Sequence, residues 1–142
     1  MAEILARRSL RQAALPEALE VVHSELDAVW EDAPFVPELD RMTFATAVIE
    51  AASNVIQHAV PETARPVEIG VDLIVTAGSL EARVSAFGAA NPAALDAGSA
   101  MPDADAESGR GLALIHALVT TVTFRRENGT NTWILTKSRL ED

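Results

Sequence analysis

Residues 121–136 read TVTFRRENGTNTWILT, and two runs of alternating apolar and polar residues flank the dipeptide Asn128-Gly129. An alternation with a period of two is typical of a half-buried β-strand. Asn-Gly between two such runs is the strongest short-range signal for a tight hairpin turn. The stretch therefore predicts two antiparallel strands, over residues 121–126 and 130–136.

A second hairpin is predicted upstream. Residues 67–75 (VEIGVDLIV) and 80–86 alternate in the same way, and Ala77-Gly78-Ser79 stands between them. A short first strand is predicted over residues 3–11. Strands that follow one another through hairpins form antiparallel pairs, so the pattern does not indicate a fold of βαβ repeats.

Three other segments carry apolar residues at steps of three and four, which predicts amphipathic helices. The first begins near Leu15 and ends before Pro34, the second runs from about residue 37 or 40 to Ala59, and the third spans residues 109–119. Together the segments predict an α+β fold, a two-layer α/β sandwich with a mixed, mostly antiparallel sheet and the helices packed on one face. Residues 1–142 are predicted to form a single domain.

The composition argues against several classes of function. The chain has 142 residues, 49% of them hydrophobic, and no cysteine. We therefore expect a real core, and neither a disulfide nor a cysteine-based metal site. Eleven Lys and Arg stand against 21 Asp and Glu, a net charge of −10, and so acidic a chain is a poor nucleic-acid binder.

The sequence also predicts no association with a membrane. No run reaches the roughly 18 apolar residues of a membrane span. The first charged pair, Arg7-Arg8, follows a short apolar patch, which is the reverse of the order in a secretory signal. We expect a soluble, cytoplasmic protein.

The predicted second helix carries polar residues on one face. Glu50 and Asn54 are four residues apart, about one helical turn, and Gln57 and His58 follow. The carboxamide oxygen of Asn is a ligand suited to Mg²⁺, and a Glu carboxylate can take a proton from a hydroxyl or a water. The spacing alone fits an ordinary solvated helix face as well.

Residues 107–112 read ESGRGL and directly precede the third predicted helix. Two glycines at a helix start let the backbone approach a ligand closely, and the free N–H groups there favour an anion. Arg110 adds a planar donor that suits phosphate oxygens. An ordinary glycine-rich helix start explains this stretch equally well.

Between the strands and this helix lies an irregular stretch, residues 89–108, rich in Ala, Gly, Pro, Asp and Ser. A structureless stretch of this length in a small domain indicates a functional lid or a disordered segment. It is preceded by residues 86–92 (AFGAANP), where Gly88 permits a turn. By itself that piece fits a plain exit from a strand.

Taken together, EAASNVIQHA, SAFGAANP, the lid, ESGRGLALIHALV and the closing GTNTWILTK form an ordered set. The set resembles the GHKL (Bergerat-fold) ATP-binding domain of DNA gyrase, histidine kinases and MutL-type ATPases. It is most similar to the stand-alone RsbW-type anti-sigma-factor serine kinases of bacterial stress and sporulation switches. The resemblance covers roughly residues 15–137 and implies the histidine kinase-like ATPase fold.

The resemblance implies a role for particular residues of this sequence. Glu50 matches the N-box glutamate, the general base, and Asn54 matches the asparagine that holds Mg²⁺. Gly88 matches the middle of the G1 box, Gly109 and Gly111 match the G2 box, and Arg110 lies nearby for phosphate. Thr132 matches a threonine that supports the adenine site through water. The implied cofactors are ATP and Mg²⁺, and the implied cofactor-binding set comprises Asn54, His58, Ala86, Gly88, Gly109, Arg110, Gly111, Leu112 and Thr132.

The sequence departs from the family pattern in the G1 box, which usually reads Asp-x-Gly-x-Gly. Ala86 stands where the family has the Asp that accepts a hydrogen bond from the adenine amino group, and Ala90 replaces the second glycine. Ser85 is the nearest polar side chain, and we expect it on the other face of the strand. Losing a hydrogen bond to a charged group, worth about 1.5–3 kcal/mol, would weaken ATP binding and relax the preference for adenine.

Two functions follow from the resemblance. The first is an anti-sigma-factor-like regulatory serine/threonine protein kinase that phosphorylates a STAS-domain anti-anti-sigma partner. The second is a non-catalytic module of the same fold that sequesters a sigma factor or a STAS protein without ATP. A binder of another nucleotide or anion is a third possibility, and the family resemblance also allows a homodimer.

Overall fold

The computed structural model describes residues 3–92 and 113–138. The elements named in chain order are β1 (Ile4–Ala13), α1 (Ala18–Asp32), α2 (Glu38–His58), β2 (Glu68–Thr76), β3 (Ser79–Phe87), β4 (Thr121–Glu127) and β5 (Thr130–Ser138). Residues 113–118 are helical as well. The predicted lid lies outside the described residues from position 93 to 108, as does the start of the third predicted helix, residues 109–112.

The five strands form one sheet in the order β1-β2-β3-β5-β4. All neighbouring strands within the described ranges are antiparallel. Both predicted hairpins are present, β2–β3 and β4–β5, and β5 inserts between β3 and β4. The predicted α+β two-layer architecture is confirmed, with a sheet that is antiparallel throughout its described part.

The core lies between the two helices and one face of the sheet. Alternate strand positions point to the helices, and the other positions of the same strands carry mostly polar or charged residues. The largest fully buried strand residues are Ile69, Leu73, Val75, Leu80, Val84 and Leu135. On the helix layer, Phe44 of α2 is buried and meets the ring of Trp30 of α1 edge-on, with 6.1 Å between ring centroids. Such an aromatic pair stabilises the helix layer beyond its area burial.

Helix α1 begins at Ala18, three residues later than predicted. The apolar periodicity extends back to Leu15, but Leu15 instead accepts a turn hydrogen bond from the Ala18 N–H, 2.8 Å. The strand β1 is correspondingly longer than predicted, because its register with β2 continues to Ala13 opposite Glu68. The ion pair between Arg8 and Glu25, 2.8 Å, ties β1 to α1, and its hydrogen bond raises the pKa of Arg8 above the ordinary value.

The β4–β5 turn has the backbone that its sequence predicts. Asn128 and Gly129 both have positive φ, 52° and 75°, as the tight turn of a twisted hairpin requires. None of the helices in the described ranges is long and apolar enough to cross a membrane.

Substituting Gly129 with alanine is expected to lower the free energy of unfolding by about 1 kcal/mol. A side chain at this positive φ is strained, and its Cβ would lie 3.1 Å from Glu62 Oε1. Gly78→Ala in the β2–β3 turn is the matched control, since a Cβ there meets nothing within 4 Å. Urea denaturation of both variants measures the difference, and equal stabilities would contradict the strained turn.

Candidate functional site

The central part of α2 positions Glu50 and Asn54. Ala51, Ala52 and Val55 of the same turns are buried against the sheet, which fixes the rotation of the helix. Glu50 and Asn54 consequently lie beside that apolar face, half-buried and one turn apart. Within residues 3–92 and 113–138, neither side chain makes a hydrogen bond or an ion pair. Two oxygen-bearing groups are therefore available to a ligand on one face of the helix.

His58 is the last residue of α2 and is exposed. The helix ends there because Ala59 takes an extended backbone two residues before Pro61, as the sequence predicts. The chain then runs back toward the end of β3, where Pro61 and Ala89 form an isolated antiparallel bridge.

In the three residues that follow β3, Gly88 to Ala90, every backbone N–H and every carbonyl group makes a hydrogen bond. Gly88 has a φ of 75°, which turns the chain out of the strand. The N–H groups of Gly88 and Ala89 donate to the Gly129 carbonyl at 3.0 and 3.3 Å, and the Ala90 N–H donates to the Val60 carbonyl at 2.7 Å. The three carbonyl groups accept from the Glu62 N–H at 2.8 Å, from Arg126 Nη1 at 2.8 Å and from Asn131 Nδ2 at 2.9 Å.

A set of three side chains, which we call the polar clamp, fixes this turn: Arg126, Asn131 and Glu62. Arg126 donates from Nη1 to Asn131 Oδ1, 2.6 Å, and from Nη2 to Glu62 Oε2, 2.9 Å. Asn131 is only 2% exposed. Because its Oδ1 and Nδ2 are both engaged, the clamp satisfies a buried carboxamide that would otherwise be costly.

The polar clamp was not predicted from the sequence, although a signal was present. A two-residue turn at Asn128-Gly129 sets Glu127 opposite Thr130, and therefore Arg126 opposite Asn131. Asn131 is four residues before the buried Leu135 and therefore lies on the same face of β5. Arg126 shares that face, so two polar side chains lie next to each other on the core side of the sheet. Such a pair indicates a buried polar network.

Ala86 is 0% exposed and lies opposite Asn131 on the helix-facing side of the sheet. Thr132 lies on the opposite side, where its Oγ1 is 3.0 Å from Ser85 Oγ. Ser85 therefore points away from the helices, as predicted. The structure brings Ala86 and Asn131 together and does not bring Thr132 to them, because successive side chains of a strand point to opposite faces.

Gly109, Arg110, Gly111 and Leu112 lie outside the described residues. The helical residues that follow them pack on the core through the buried Ile115 and the partly buried Leu118. The described ranges contain no cluster of three His, Asp or Glu side chains that could hold a metal ion. A cation bound near Asn54 would take its remaining ligands from outside these ranges, among them the phosphates of a bound nucleotide and water.

Comparison with known proteins decides the family. The sequence profile of the histidine kinase-like ATPase domain matches residues 12–137, nearly the whole chain. The chain belongs to this family. The predicted GHKL resemblance is thereby confirmed, and the fold class agrees with it.

The ATPase-like domain also resembles a solved structure, that of the RsbU and RsbW domains of Rv1364c from Mycobacterium tuberculosis. The TM-score is 0.67 and the sequence identity 20%, over 94% of this chain. The chain spans 33% of the length of that structure. At this identity the likeness concerns the fold. No curated protein matches the sequence of the chain.

The described residues of the ATPase-like domain fit one end of a Mg²⁺-nucleotide better than the other. Carboxylate and carboxamide oxygens are the hard donors that Mg²⁺ and its waters prefer. Glu50 and Asn54 offer both, and neither side chain has a partner in the described part of the chain. At the opposite end the implied adenine reader is Ala86, a hydrocarbon side chain with no exposed surface. The described donor set therefore fits Mg²⁺ and phosphate, and position 86 offers adenine no side-chain hydrogen-bond partner.

Proposed function

We propose that this domain is an anti-sigma-factor-like regulatory serine/threonine protein kinase, which binds Mg²⁺-ATP and phosphorylates a STAS-type anti-anti-sigma protein. One observation carries the proposal: Glu50 and Asn54 lie one turn apart on α2, half-buried and without a partner among the described residues. Polar side chains that the protein leaves unpaired bind water or a ligand. Membership of the ATPase family supports Mg²⁺-ATP as the ligand. The likeness in fold to a structure that contains an RsbW domain supports a STAS-type protein as the partner.

Each residue has a distinct part in the proposed reaction. The Glu50 carboxylate would accept the proton of the partner's serine hydroxyl as that oxygen attacks the γ-phosphorus of ATP, while the bond from this phosphorus to the bridging oxygen breaks and ADP leaves. The Asn54 carboxamide oxygen would hold Mg²⁺. The backbone N–H groups around Gly109 and Gly111, with the Arg110 guanidinium, offset the charge on the phosphate oxygens. Bound Mg²⁺-ATP supplies the phosphoryl group, and the chain's own groups orient it and move the proton.

The kinase proposal is tested with Glu50→Gln, which keeps the size of the side chain and removes its basicity. We expect transfer of labelled phosphate from ATP to a purified STAS-domain protein to fall at least about 100-fold. The affinity for Mg²⁺-ATP should change less than about threefold, because the glutamate acts on the hydroxyl of the partner.

Glu38→Gln is the matched control, since Glu38 is an exposed carboxylate in the first turn of the same helix. We expect the control to transfer phosphate at the wild-type rate. Equal rates of phosphate transfer for wild type and Glu50→Gln would contradict the role of Glu50 as the general base.

A second function is favoured by the buried Ala86 and the engaged polar clamp. On this reading the domain is a binding module that sequesters a sigma factor or a STAS protein without ATP. The two functions differ in the effect of nucleotide on the complex. A kinase changes its affinity for the STAS partner when Mg²⁺-ATP is added, whereas the module binds its partner equally well without nucleotide.

A further inference from the structure

We infer that the site binds Mg²⁺-nucleoside triphosphates without selecting the base. The inference rests on the proposed nucleotide-binding function and narrows its substrate class. Three observations at the end of β3, where the family resemblance puts the base reader, carry it, and all concern hydrogen-bonding groups that could distinguish one base from another.

The first observation is the side chain at position 86. A methyl group neither donates nor accepts a hydrogen bond, and Ala86 is 0% exposed on the helix-facing side of β3. The strand's nearest polar side chain, Ser85, is bonded to Thr132 on the far side of the sheet. The end of β3 thus presents no side-chain group that could distinguish the amino group of adenine from the carbonyl of guanine.

The second observation is that Asn131, the polar neighbour of Ala86, is committed to the protein. Its Oδ1 accepts from Arg126 at 2.6 Å, its Nδ2 donates to the Ala90 carbonyl at 2.9 Å, and the residue is 2% exposed. A carboxamide can tell one base edge from another only when its donor and acceptor are both available. Here a base would have to break both bonds first.

The third observation is that the backbone of Gly88 to Ala90 has no unused donor. All three N–H groups donate, two to Gly129 and one to Val60, and all three carbonyl groups already accept. A site that discriminates strongly between similar ligands does so because wrong ligands leave its buried polar groups unpaired. These groups are paired within the protein, so no base leaves them unsatisfied.

Recognition then falls to the triphosphate and its Mg²⁺, which all nucleoside triphosphates share. Glu50 and Asn54 have no partner among the described residues, and both suit a cation and its phosphate. The base contributes contact area without selectivity. Adenine, guanine and cytosine nucleotides are consequently equivalent ligands.

The inference is tested by calorimetric titration of the full chain with the Mg²⁺ complexes of ATP, GTP, CTP and inorganic tripolyphosphate. We expect the three nucleotide dissociation constants to agree within about threefold, and tripolyphosphate to bind within about tenfold of them. Asn54→Ala should weaken all four by a common factor of at least about ten. Thr46→Ala, an exposed change on the same helix, is the control and should leave all four unchanged.

Two outcomes overturn the inference, and they are distinguishable. ATP bound more than about tenfold tighter than GTP and CTP would show a base reader and would leave the proposed nucleotide-binding function intact. Heats of dilution alone for every ligand would overturn the inference and the proposed function together.

Discussion

Replacing Ala86 with aspartate is expected to lower the free energy of unfolding by about 4 kcal/mol at pH 7. Position 86 is fully buried on the helix-facing side of β3. Its polar neighbour Asn131 already uses both ends of its carboxamide. A carboxylate placed there loses its hydration and gains no ready partner. Urea denaturation of wild type and Ala86→Asp, fitted to two states, measures the loss.

The matched control is Ser85→Asp, one residue earlier on the half-exposed far side of the strand. Its carboxylate can accept the hydrogen bond of the Thr132 hydroxyl that Ser85 now contacts, so the expected change is below about 1 kcal/mol. Losses below about 1 kcal/mol in both variants would show that position 86 is open to water. If Ala86→Asp loses little stability while Ser85→Asp loses more, Arg126 has left the polar clamp and paired with the new carboxylate.

The destabilisation by Ala86→Asp should depend on pH with a defined sign. Burial raises the pKa of an unpaired carboxyl group above that of the unfolded chain. The penalty is then small below the unfolded pKa of about 3.9 and grows as the pH rises toward the folded pKa. A loss of stability that does not vary with pH would point to a steric cause.

In the same variant the preference for ATP over GTP should rise, because an acceptor now stands where the family has one.

Substituting Arg126 with alanine is the second large effect that we expect, a loss of about 3 kcal/mol in the free energy of unfolding. The guanidinium donates to Asn131 Oδ1, to the Ala89 carbonyl and to Glu62. Removing the guanidinium leaves two acceptors without a donor, the Ala89 carbonyl and Asn131 Oδ1. Thermal and urea denaturation measure the loss.

Arg125→Ala provides the control, because Arg125 is the preceding residue of β4, is exposed and lies on the opposite face. Its removal should change the stability by less than about 0.5 kcal/mol. If the two arginine variants are equally stable, water replaces the guanidinium in the polar clamp and the clamp does not fix the turn.

The local parts of the fold could be predicted from the sequence because each has a local cause. The Asn128-Gly129 turn and the alternation around it specify the β4–β5 hairpin. Pro61 ends α2 within a residue of the predicted position, because the residue before a proline avoids the helical region. The pairing of β5 between β3 and β4 has no such local signal, since it depends on how distant strands bury their apolar faces.

The candidate site divides in the same way. The spacing of Glu50 and Asn54 on one helix face is a property of helical geometry and follows from the sequence. The face of Thr132 is fixed by the register of the hairpin, and that register instead places Asn131 beside Ala86. The resemblance implies a role for Thr132 from its place in a motif, whereas the alternation of side chains along β5 puts Asn131, and not Thr132, beside Ala86.

The roles of Asn54 and Mg²⁺ in nucleotide binding are tested by calorimetric titration of ATP into the protein, with Mg²⁺ and with Mg²⁺ removed by a chelator, for wild type and Asn54→Ala. We expect micromolar binding that needs Mg²⁺ and is lost in Asn54→Ala. Binding that survives both the chelator and the substitution would contradict the roles of Asn54 and Mg²⁺. No heat at millimolar ATP would contradict the kinase itself and leave the nucleotide-independent binding module as the function of this domain.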